Sequence, residues 1–302
     1  MTASAALGLA AGGDRPRIEA PGLVFDEARQ RTVSFGGGFG AGMSEMTWEY
    51  DGRGWRRLDG PGPSRRNFHA MVYDRARRKV VLFGGGGPGG VALGDTWEYD
   101  GIAWKQVSTS GPPPRASHAM AYDRRRGRTV LYGGSGGVRQ PDLQDTWEWN
   151  GAEWTRVATT AHPTGSSLHA MAFDEARSRT IAFGGRPAST ETWAFDGRDW
   201  RLEADAAPGP RDHHAMTYAP DLQKVVLFGG WNFKDEAGQR DLWSFDGRRW
   251  TVIAASGPAD YGAKPGLVYD STSRRVLLLG TNGGETVAGF WQWDGRSWSA
   301  VR

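Results

Sequence analysis

The chain has 302 residues, no cysteine, a formal net charge of +3 and no run of 18 apolar residues. The lack of cysteine excludes disulfide bonds and thiolate chemistry, and the lack of a long apolar segment excludes a membrane-spanning helix. With 38% hydrophobic residues a chain of this length can bury a large core, so we expect a soluble folded protein.

Residues 1–17 are predicted to form a flexible N-terminal tail. The segment from Met1 to Gly13 has no basic residue, and its apolar centre is short and weak. A secretory signal peptide normally begins with basic residues followed by a stronger apolar stretch. We therefore expect a cytoplasmic protein, and the alternative is a signal peptide that would make the protein secreted or periplasmic.

Tryptophan marks a sixfold repeat along the rest of the chain. Twelve of the fifteen tryptophans form pairs with a constant separation: Trp48 and Trp55, Trp97 and Trp104, Trp147 and Trp154, Trp193 and Trp200, Trp243 and Trp250, Trp291 and Trp298. Successive pairs begin roughly 50 residues apart, which is the period of a propeller blade rather than of a helical solenoid.

Each repeat predicts four short strands, seen best in the second one. Residues 69–74, 79–85, 95–99 and 104–107 are rich in β-branched and aromatic side chains and are separated by turn residues. The last two strands are joined through Asp100-Gly101, a step that suits a tight hairpin because glycine reaches positive φ without strain. A meander of this kind has two apolar faces, so neighbouring repeats must stack to bury them.

This pattern resembles the kelch repeat, whose marks are a double glycine after the second strand and spaced aromatic residues in the third and fourth. The resemblance extends from about Ile18 to Val301, and the sixth repeat departs from it with Gly280-Thr281. The double glycines are Gly36-Gly37, Gly84-Gly85, Gly133-Gly134, Gly184-Gly185 and Gly229-Gly230.

The resemblance implies an all-β fold, a six-bladed β-propeller of four-stranded antiparallel blades around an axial channel. The blades are expected at approximately 18–60, 61–110, 111–160, 161–206, 207–256 and 257–302. The first inner strand and the last outer strand each complete their own repeat, so we expect the ring to close by packing between whole blades. Such propellers serve enzymes and binding proteins alike, so the fold alone assigns no activity.

Positions that break the repeat are the candidates for function, because positions shared by every blade are explained by packing. The paired tryptophans are predicted to fill the wedges between blades, with each indole N–H given to a backbone carbonyl. Trp231 lies outside this pattern, directly after the double glycine of the fifth repeat, and Phe233 follows it. We predict that both contact a ligand, and the alternative is that they fold back over the rim.

Four histidines share one register at the start of the innermost strand, while repeats one and six have Pro21 and Pro265 there: His69, His118, His169 and His214. Repeated histidines are usually packing residues, but converging imidazoles could also hold a divalent metal at the channel mouth. His213 lies outside the register and is a candidate ligand-binding residue.

Arginine stands three residues before that histidine in three repeats, as Arg66, Arg115 and Arg211. Arginines at this place in several kelch relatives face the channel mouth. The resemblance therefore implies that they form, with Lys264, a cationic collar for an anionic ligand, since guanidinium groups bind carboxylate or phosphate in a bidentate way. The alternative is a salt bridge from each arginine to an acid of a neighbouring blade.

The remaining sequence features give no support to nucleic-acid binding or to a known catalytic motif. Basic residues in the first hairpin turns, such as Arg75 and Arg124, predict solvated turns rather than a nucleic-acid surface, because no aromatic residues accompany them. The acids before the third strands, such as Asp95, are expected to bind the backbone there. The chain has no Gly-x-Ser-x-Gly elbow, and the tyrosine–cysteine copper cofactor of the oxidase relatives needs a cysteine that it lacks.

Two functions remain open. The first is a monomeric binding module that captures a small anionic molecule or an acidic peptide at the loop-bearing mouth of the channel. The second is a small stand-alone enzyme of secondary metabolism that uses a histidine-lined mouth, with a divalent metal as an optional cofactor. The absence of unlike polar residues at a diagnostic spacing favours the binding module.

Overall fold

The computed structural model describes residue 16 and residues 19–137, 140–205, 207–232, 237–258, 264–281 and 288–301. Six four-stranded antiparallel sheets follow one another along the chain, one in each predicted blade range. The predicted fold class is therefore confirmed. The predicted tail lies outside the described residues except for Pro16.

The strands run from the innermost to the outermost position of each blade in chain order. Blades one and two contain β1 Gly22–Asp26, β2 Arg31–Phe35, β3 Thr47–Tyr50, β4 Trp55–Leu58, β5 Ala70–Asp74, β6 Lys79–Gly86, β7 Ala92–Tyr99 and β8 Trp104–Ser108. Blades three and four contain β9 Ala119–Asp123, β10 Arg128–Tyr132, β11 Thr146–Trp149, β12 Trp154–Val157, β13 Ala170–Asp174, β14 Arg179–Phe183, β15 Glu191–Phe195 and β16 Trp200–Asp205.

Blade five contains β17 Ala215–Ala219, β18 Lys224–Phe228, β21 Leu242–Phe245 and β22 Trp250–Ala254, with a two-stranded hairpin, β19 Trp231–Asn232 and β20 Ala237–Gly238, between its second and third strands. Blade six contains β23 Gly266–Asp270, β24 Arg275–Thr281, β25 Ala288–Trp293 and β26 Trp298–Ala300. Two short 3-10 helical turns, Gly40–Gly42 and Pro88–Gly90, lie in the loops between the second and third strands of blades one and two.

In four of the six blades the second tryptophan of the pair ties its blade to the one before, whereas the buried indole nitrogens of Trp55 and Trp298 have no acceptor among the described residues. Trp154 is buried and donates its indole N–H to Oγ1 of Thr96 in the preceding blade at 2.9 Å. The same bond joins Trp104 to Thr47, Trp200 to Thr146 and Trp250 to Thr192. The predicted wedge is thus present, but the acceptor is a threonine hydroxyl rather than a backbone carbonyl.

Arginines of the first hairpin turns form a second set of ties between blades. Arg29 of blade one contacts Asp26 and Glu49 of its own blade and lies under the turn of blade two at Gly101. Gly101 has φ of 93°, and a Cβ there would collide with the Arg29 guanidinium. Glycine is therefore required at this turn both for its φ and for the close approach of the neighbouring blade.

The ring closes between two complete sheets, as predicted. Blade one and blade six share an apolar cluster that includes Phe25, Tyr50, Val268, Leu279 and Phe290. No strand of the described chain pairs with a strand of another blade. Within the part of the chain that the structure describes, no helix is long and apolar enough to span a membrane.

Candidate functional site

The axial channel has two ends of different chemistry. The loop-bearing face lies where the innermost strands begin and carries the double-glycine loops. The turn-bearing face lies where those strands end in the first hairpin turns. Because all six blades run the same way, equivalent residues form layers around the axis, and a layer with unequal residues distinguishes one side of the channel from the other.

The four histidines of the shared register are buried between blades near the loop-bearing face: His69, His118, His169 and His214. A Cβ added at Gly84 of the preceding blade would lie 3.2 Å from Cε1 of His118, and one at Gly134 of its own blade would lie 2.8 Å from its Cβ. The ring meets Phe83 edge to face with 5.5 Å between centroids. The double glycines therefore create the space that each imidazole fills.

Burial keeps these imidazoles neutral. It lowers the pKa of His69, His118 and His214 well below the usual value, and the neighbouring arginine of each repeat lowers it further. Burial lowers the pKa of His169 to about 3. Nε2 of His214 lies 3.0 Å from the carbonyl oxygen of Phe183, a distance at which a protonated Nε2 donates a hydrogen bond. A cation is costly in such a site, so the four rings pack between the blades in their neutral form.

The structure does not bring these four histidines together as metal ligands. Each ring is enclosed by its own pair of glycines, and ring nitrogens of all four have no solvent exposure. Among the described residues, no group of three or more histidine, aspartate or glutamate side chains is arranged to hold a metal ion. Metal binding by this set stays a prediction without support from the placement of the side chains.

The three arginines of the predicted collar point into their own blades. Arg115 is fully buried, and it donates to both carboxylate oxygens of Asp145 at 2.6 and 3.0 Å and to the carbonyl oxygen of Gly133 at 2.9 Å. Arg66 contacts Asp95, and Arg211 contacts Asp241, in the same way. The salt-bridge alternative is therefore the observed arrangement, although the acid belongs to the same blade rather than to a neighbouring one.

The carboxylates of these pairs also differ from expectation. Asp145 accepts the indole N–H of Trp147 at 2.7 Å, and Asp95 accepts that of Trp97 at the same distance. The two side-chain partners lower the pKa of Asp145 against the opposing effect of burial. Since each guanidinium is already paired with a carboxylate, the arginines have no pair of N–H groups left to bind a ligand at the mouth.

A ring of left-handed residues narrows the channel at the loop-bearing face. One residue per blade, two positions before the start of the innermost strand, has φ between 49° and 60°: Ala20, Phe68, Ser117, Leu168, His213 and Lys264. Backbone hydrogen bonds link four of them in sequence, from Ser117 N to Phe68 O, from Leu168 N to Ser117 O, and from His213 N to Leu168 O, at 2.9 to 3.1 Å. Four residues of this ring, Phe68, Ser117, His213 and Lys264, keep part of their surface exposed, whereas Ala20 and Leu168 are buried.

Two aromatic rings meet across the axis at this level. Phe68 of blade two lies edge to face with His213 of the opposite blade five, with 5.9 Å between centroids. Phe39 packs on the other side of Phe68 at 5.7 Å and is 44% exposed. Sequence reasoning did not identify Phe39 or Phe68, although Phe68 occupies a position where the six repeats disagree, which was the signal that could have found it.

His213 is held by a buried acid. Its Nδ1 lies 2.6 Å from Oδ1 of Asp212, which is buried and also accepts from Nε of Arg186 at 2.6 Å. The backbone of Asp212 pairs with that of Trp231, whose side chain is 36% exposed. The structure thus places Trp231 at the border of the mouth, whereas Phe233 lies outside the described residues.

Lys264 supplies the cationic character of the mouth. Its half-buried ammonium lowers the pKa of all four buried imidazoles, so it lies close to the axis. Burial lowers the pKa of Lys264 itself to about 8. No hydrogen bond or ion pair joins it to any residue in the described part of the chain. An ammonium in this position is desolvated without compensation, which favours the approach of an anion.

A shallow groove of about 800 Å³ begins at the mouth and extends over blades one to three. Its apolar wall includes Phe39, Met43, Phe68, Pro88 and Ala116. Much of the remaining lining is glycine backbone from the loops of residues 86–90. The groove therefore offers apolar surface and exposed peptide groups beside the cationic mouth.

Comparison with known proteins agrees with the architecture. A family model described as the KLHDC2/KLHL20/DRC7 Kelch-repeats domain matches residues 22–201. A solved structure described as "Structure of YjhT" is similar to this chain with a TM-score of 0.71 and 12% sequence identity, covering 95% of this chain and 98% of that one. Identity this low shows a shared fold alone. A search of curated proteins gave no match.

Proposed function

The chain belongs to the kelch-repeat family, and from that premise we propose that it is a binding module that holds an acidic peptide segment on its loop-bearing face. Kelch domains generally mediate binding. The observation that carries the proposal is the aromatic row formed by the exposed Phe39 and the partly buried Phe68 and His213, which crosses the mouth and borders the apolar groove.

The shape of the groove supports an extended ligand. Its lining comes from the loops of three successive blades, which suits an extended segment that contacts several loops in turn. Large exposed aromatic side chains next to one another are typical of interaction surfaces. We infer that apolar side chains of the peptide pack against Phe39 and Met43.

The charge at the mouth supports an acidic ligand. Lys264 has no partner among the described residues. A carboxylate of the peptide placed beside it would compensate for the hydration that the ammonium loses on burial. A small anionic molecule is the alternative occupant, because it would satisfy Lys264 while leaving the groove empty. The peptide is favoured since it uses both features together.

An enzymatic function has one observation in its favour. Asp212 accepts a hydrogen bond from Nδ1 of His213, an arrangement that holds an imidazole for general acid–base chemistry at the mouth. The four histidines of the shared register give this alternative no support, because their rings are sealed between blades. The binding module therefore accounts for more of the mouth than the enzyme does.

Selection from a random peptide library displayed on phage tests the proposal. We expect the selected peptides to combine aspartate or glutamate with a large apolar residue, and calorimetry with one synthesised peptide to give weaker binding for Phe39→Ala and Lys264→Met by about tenfold or more. Ile102→Ala and Lys105→Met are matched controls, because both residues are exposed on the outer part of blade two and should leave affinity unchanged.

The stability of the Lys264 variant separates a binding role from a structural one. Its ammonium has a pKa below that of the unfolded chain, so at pH 7 it makes folding less favourable. We expect Lys264→Met to melt at the same or a higher temperature while it binds the peptide more weakly. Peptides without acidic residues, or equal losses of affinity in the control variants, would contradict the proposed function.

A further inference from the structure

A second cavity, separate from the groove, occupies the axis at the turn-bearing face. It has a volume of about 460 Å³ and is lined by all six innermost strands. This volume lies within the range of sites that bind small molecules. Equivalent residues of the six strands lie at the same depth, so the wall consists of layers that follow one another from the deep end to the opening.

The deep layer consists of flexible apolar side chains, four methionines and two leucines: Leu23, Met71, Met120, Met171, Met216 and Leu267. Methionine adapts its unbranched side chain to ligands of different outline. None of these side chains has a polar group that needs a hydrogen-bond partner. The deep end of the cavity therefore suits the apolar body of a ligand.

Beyond a layer of smaller side chains, such as Val72, Ala121 and Thr217, lies an aromatic layer that consists of Phe25, Tyr73, Tyr122, Phe173, Tyr218 and Tyr269. Its hydroxyl groups are engaged with the protein. Tyr73 accepts the backbone N–H of Ala28 at 3.2 Å, and Tyr269 donates to Asp221 at 2.7 Å. This layer therefore adds more apolar surface.

The opening carries charges of both signs. Nε of Arg75 lies 3.0 Å from Glu27, and Nη2 of Arg124 lies 3.3 Å from the same carboxylate oxygen. Arg124 also contacts Glu175 through Nη1. Glu27 and Glu175 belong to opposite blades, one and four, so the guanidinium of Arg124 lies across the opening.

We propose that this cavity binds a small amphipathic carboxylate, with its apolar body among the methionines and its carboxylate on Arg75 and Arg124 in place of Glu27. The contacts described above use one N–H of Arg75 and two of Arg124, and a guanidinium has five. Two arginines and two glutamates balance in charge at the opening, so selectivity for an anion rests on the terminal N–H groups of Arg75, which its contact with Glu27 through Nε leaves available to a carboxylate. The exchange replaces one carboxylate by another at a partly exposed position, where an ion pair contributes little to stability.

Calorimetry with decanoate, below its micelle concentration, tests the proposal, with decyltrimethylammonium as a probe of the same chain length and opposite charge. We expect decanoate to bind with a stoichiometry of one and the cation not to bind. Arg75→Met, at an exposed position, should weaken decanoate binding by about tenfold, since it removes one of two guanidinium partners. Arg201→Met, on the exposed side of an outer strand, is the matched control and should bind as the wild type does.

Two further variants locate the site. Met171→Trp fills the deep layer and should abolish binding, and circular dichroism shows whether that variant is folded. Phe39→Ala, on the opposite face, should leave decanoate binding unchanged. The proposal is overturned if decanoate does not bind, if Arg75→Met and Arg201→Met bind it equally, or if Phe39→Ala weakens it instead. None of these results bears on the peptide proposed for the loop-bearing face.

Discussion

Acidification is expected to unfold this protein steeply between about pH 6.5 and pH 4. His69, His118, His169 and His214 stay neutral in the folded protein because burial lowers their pKa values, to about 3 for His169. In the unfolded chain the same imidazoles take up protons below about pH 6.5. The unfolded state then binds four more protons than the folded one, so the free energy of unfolding falls as the pH falls.

The expected slope is large. Each imidazole that titrates only in the unfolded chain contributes about 1.4 kcal/mol per pH unit, so the four together contribute about 5.5 kcal/mol per pH unit. Domains are typically stable by about 5–15 kcal/mol, so two pH units can remove the whole margin. Urea unfolding at a series of pH values between 7.5 and 4.5 measures this slope directly.

Single substitutions test whether these four imidazoles cause the pH dependence of the free energy of unfolding. His118→Gln should reduce it by about a quarter, because one of four titrating groups is removed. His162→Gln is the matched control, since His162 is exposed and should leave the slope unchanged. A slope that is the same in His118→Gln as in the wild type would show that the buried imidazoles are not the cause.

Removing the acid of a buried arginine pair is expected to have the second large effect. Asp145→Ala should lower the free energy of unfolding by about 3–5 kcal/mol, because it leaves the fully buried guanidinium of Arg115 without its carboxylate. Trp147 loses its indole acceptor in the same change. Denaturant unfolding at pH 7.5 measures the loss.

A double substitution distinguishes a lost interaction from an uncompensated charge. Arg115→Met combined with Asp145→Leu should be less destabilising than the sum of the two single changes, because neither variant side chain needs a partner. Asp59→Asn is the surface control, since Asp59 is exposed in its pair with Arg57 and should change stability by less than about 1 kcal/mol. Additive single changes would show that Arg115 and Asp145 are not energetically coupled.

Much of the candidate site could not be read from the sequence. Arg115 was expected at the channel mouth, but its side chain turns toward Asp145, thirty residues away in the same blade. Phe39 was not identified because an aromatic residue in a loop has no periodic signature that separates packing from exposure, and Phe68 was missed although it stands where the six repeats differ. His213 and Lys264 do lie in the ring at the mouth, and their role in ligand binding stays a prediction.

The sequence by itself determined the six blades, their four strands and the closure of the ring between whole sheets. These features depend on contacts within one repeat or between adjacent repeats, such as the bond from Trp154 to Thr96, which three other blades repeat. Only the tertiary structure decided which side chains meet across the axis. Phe68 reaches His213, and Arg124 reaches Glu27, because the closed ring brings together blades that are far apart along the chain. Such contacts occur once and have no period, so no pattern in the sequence encodes them.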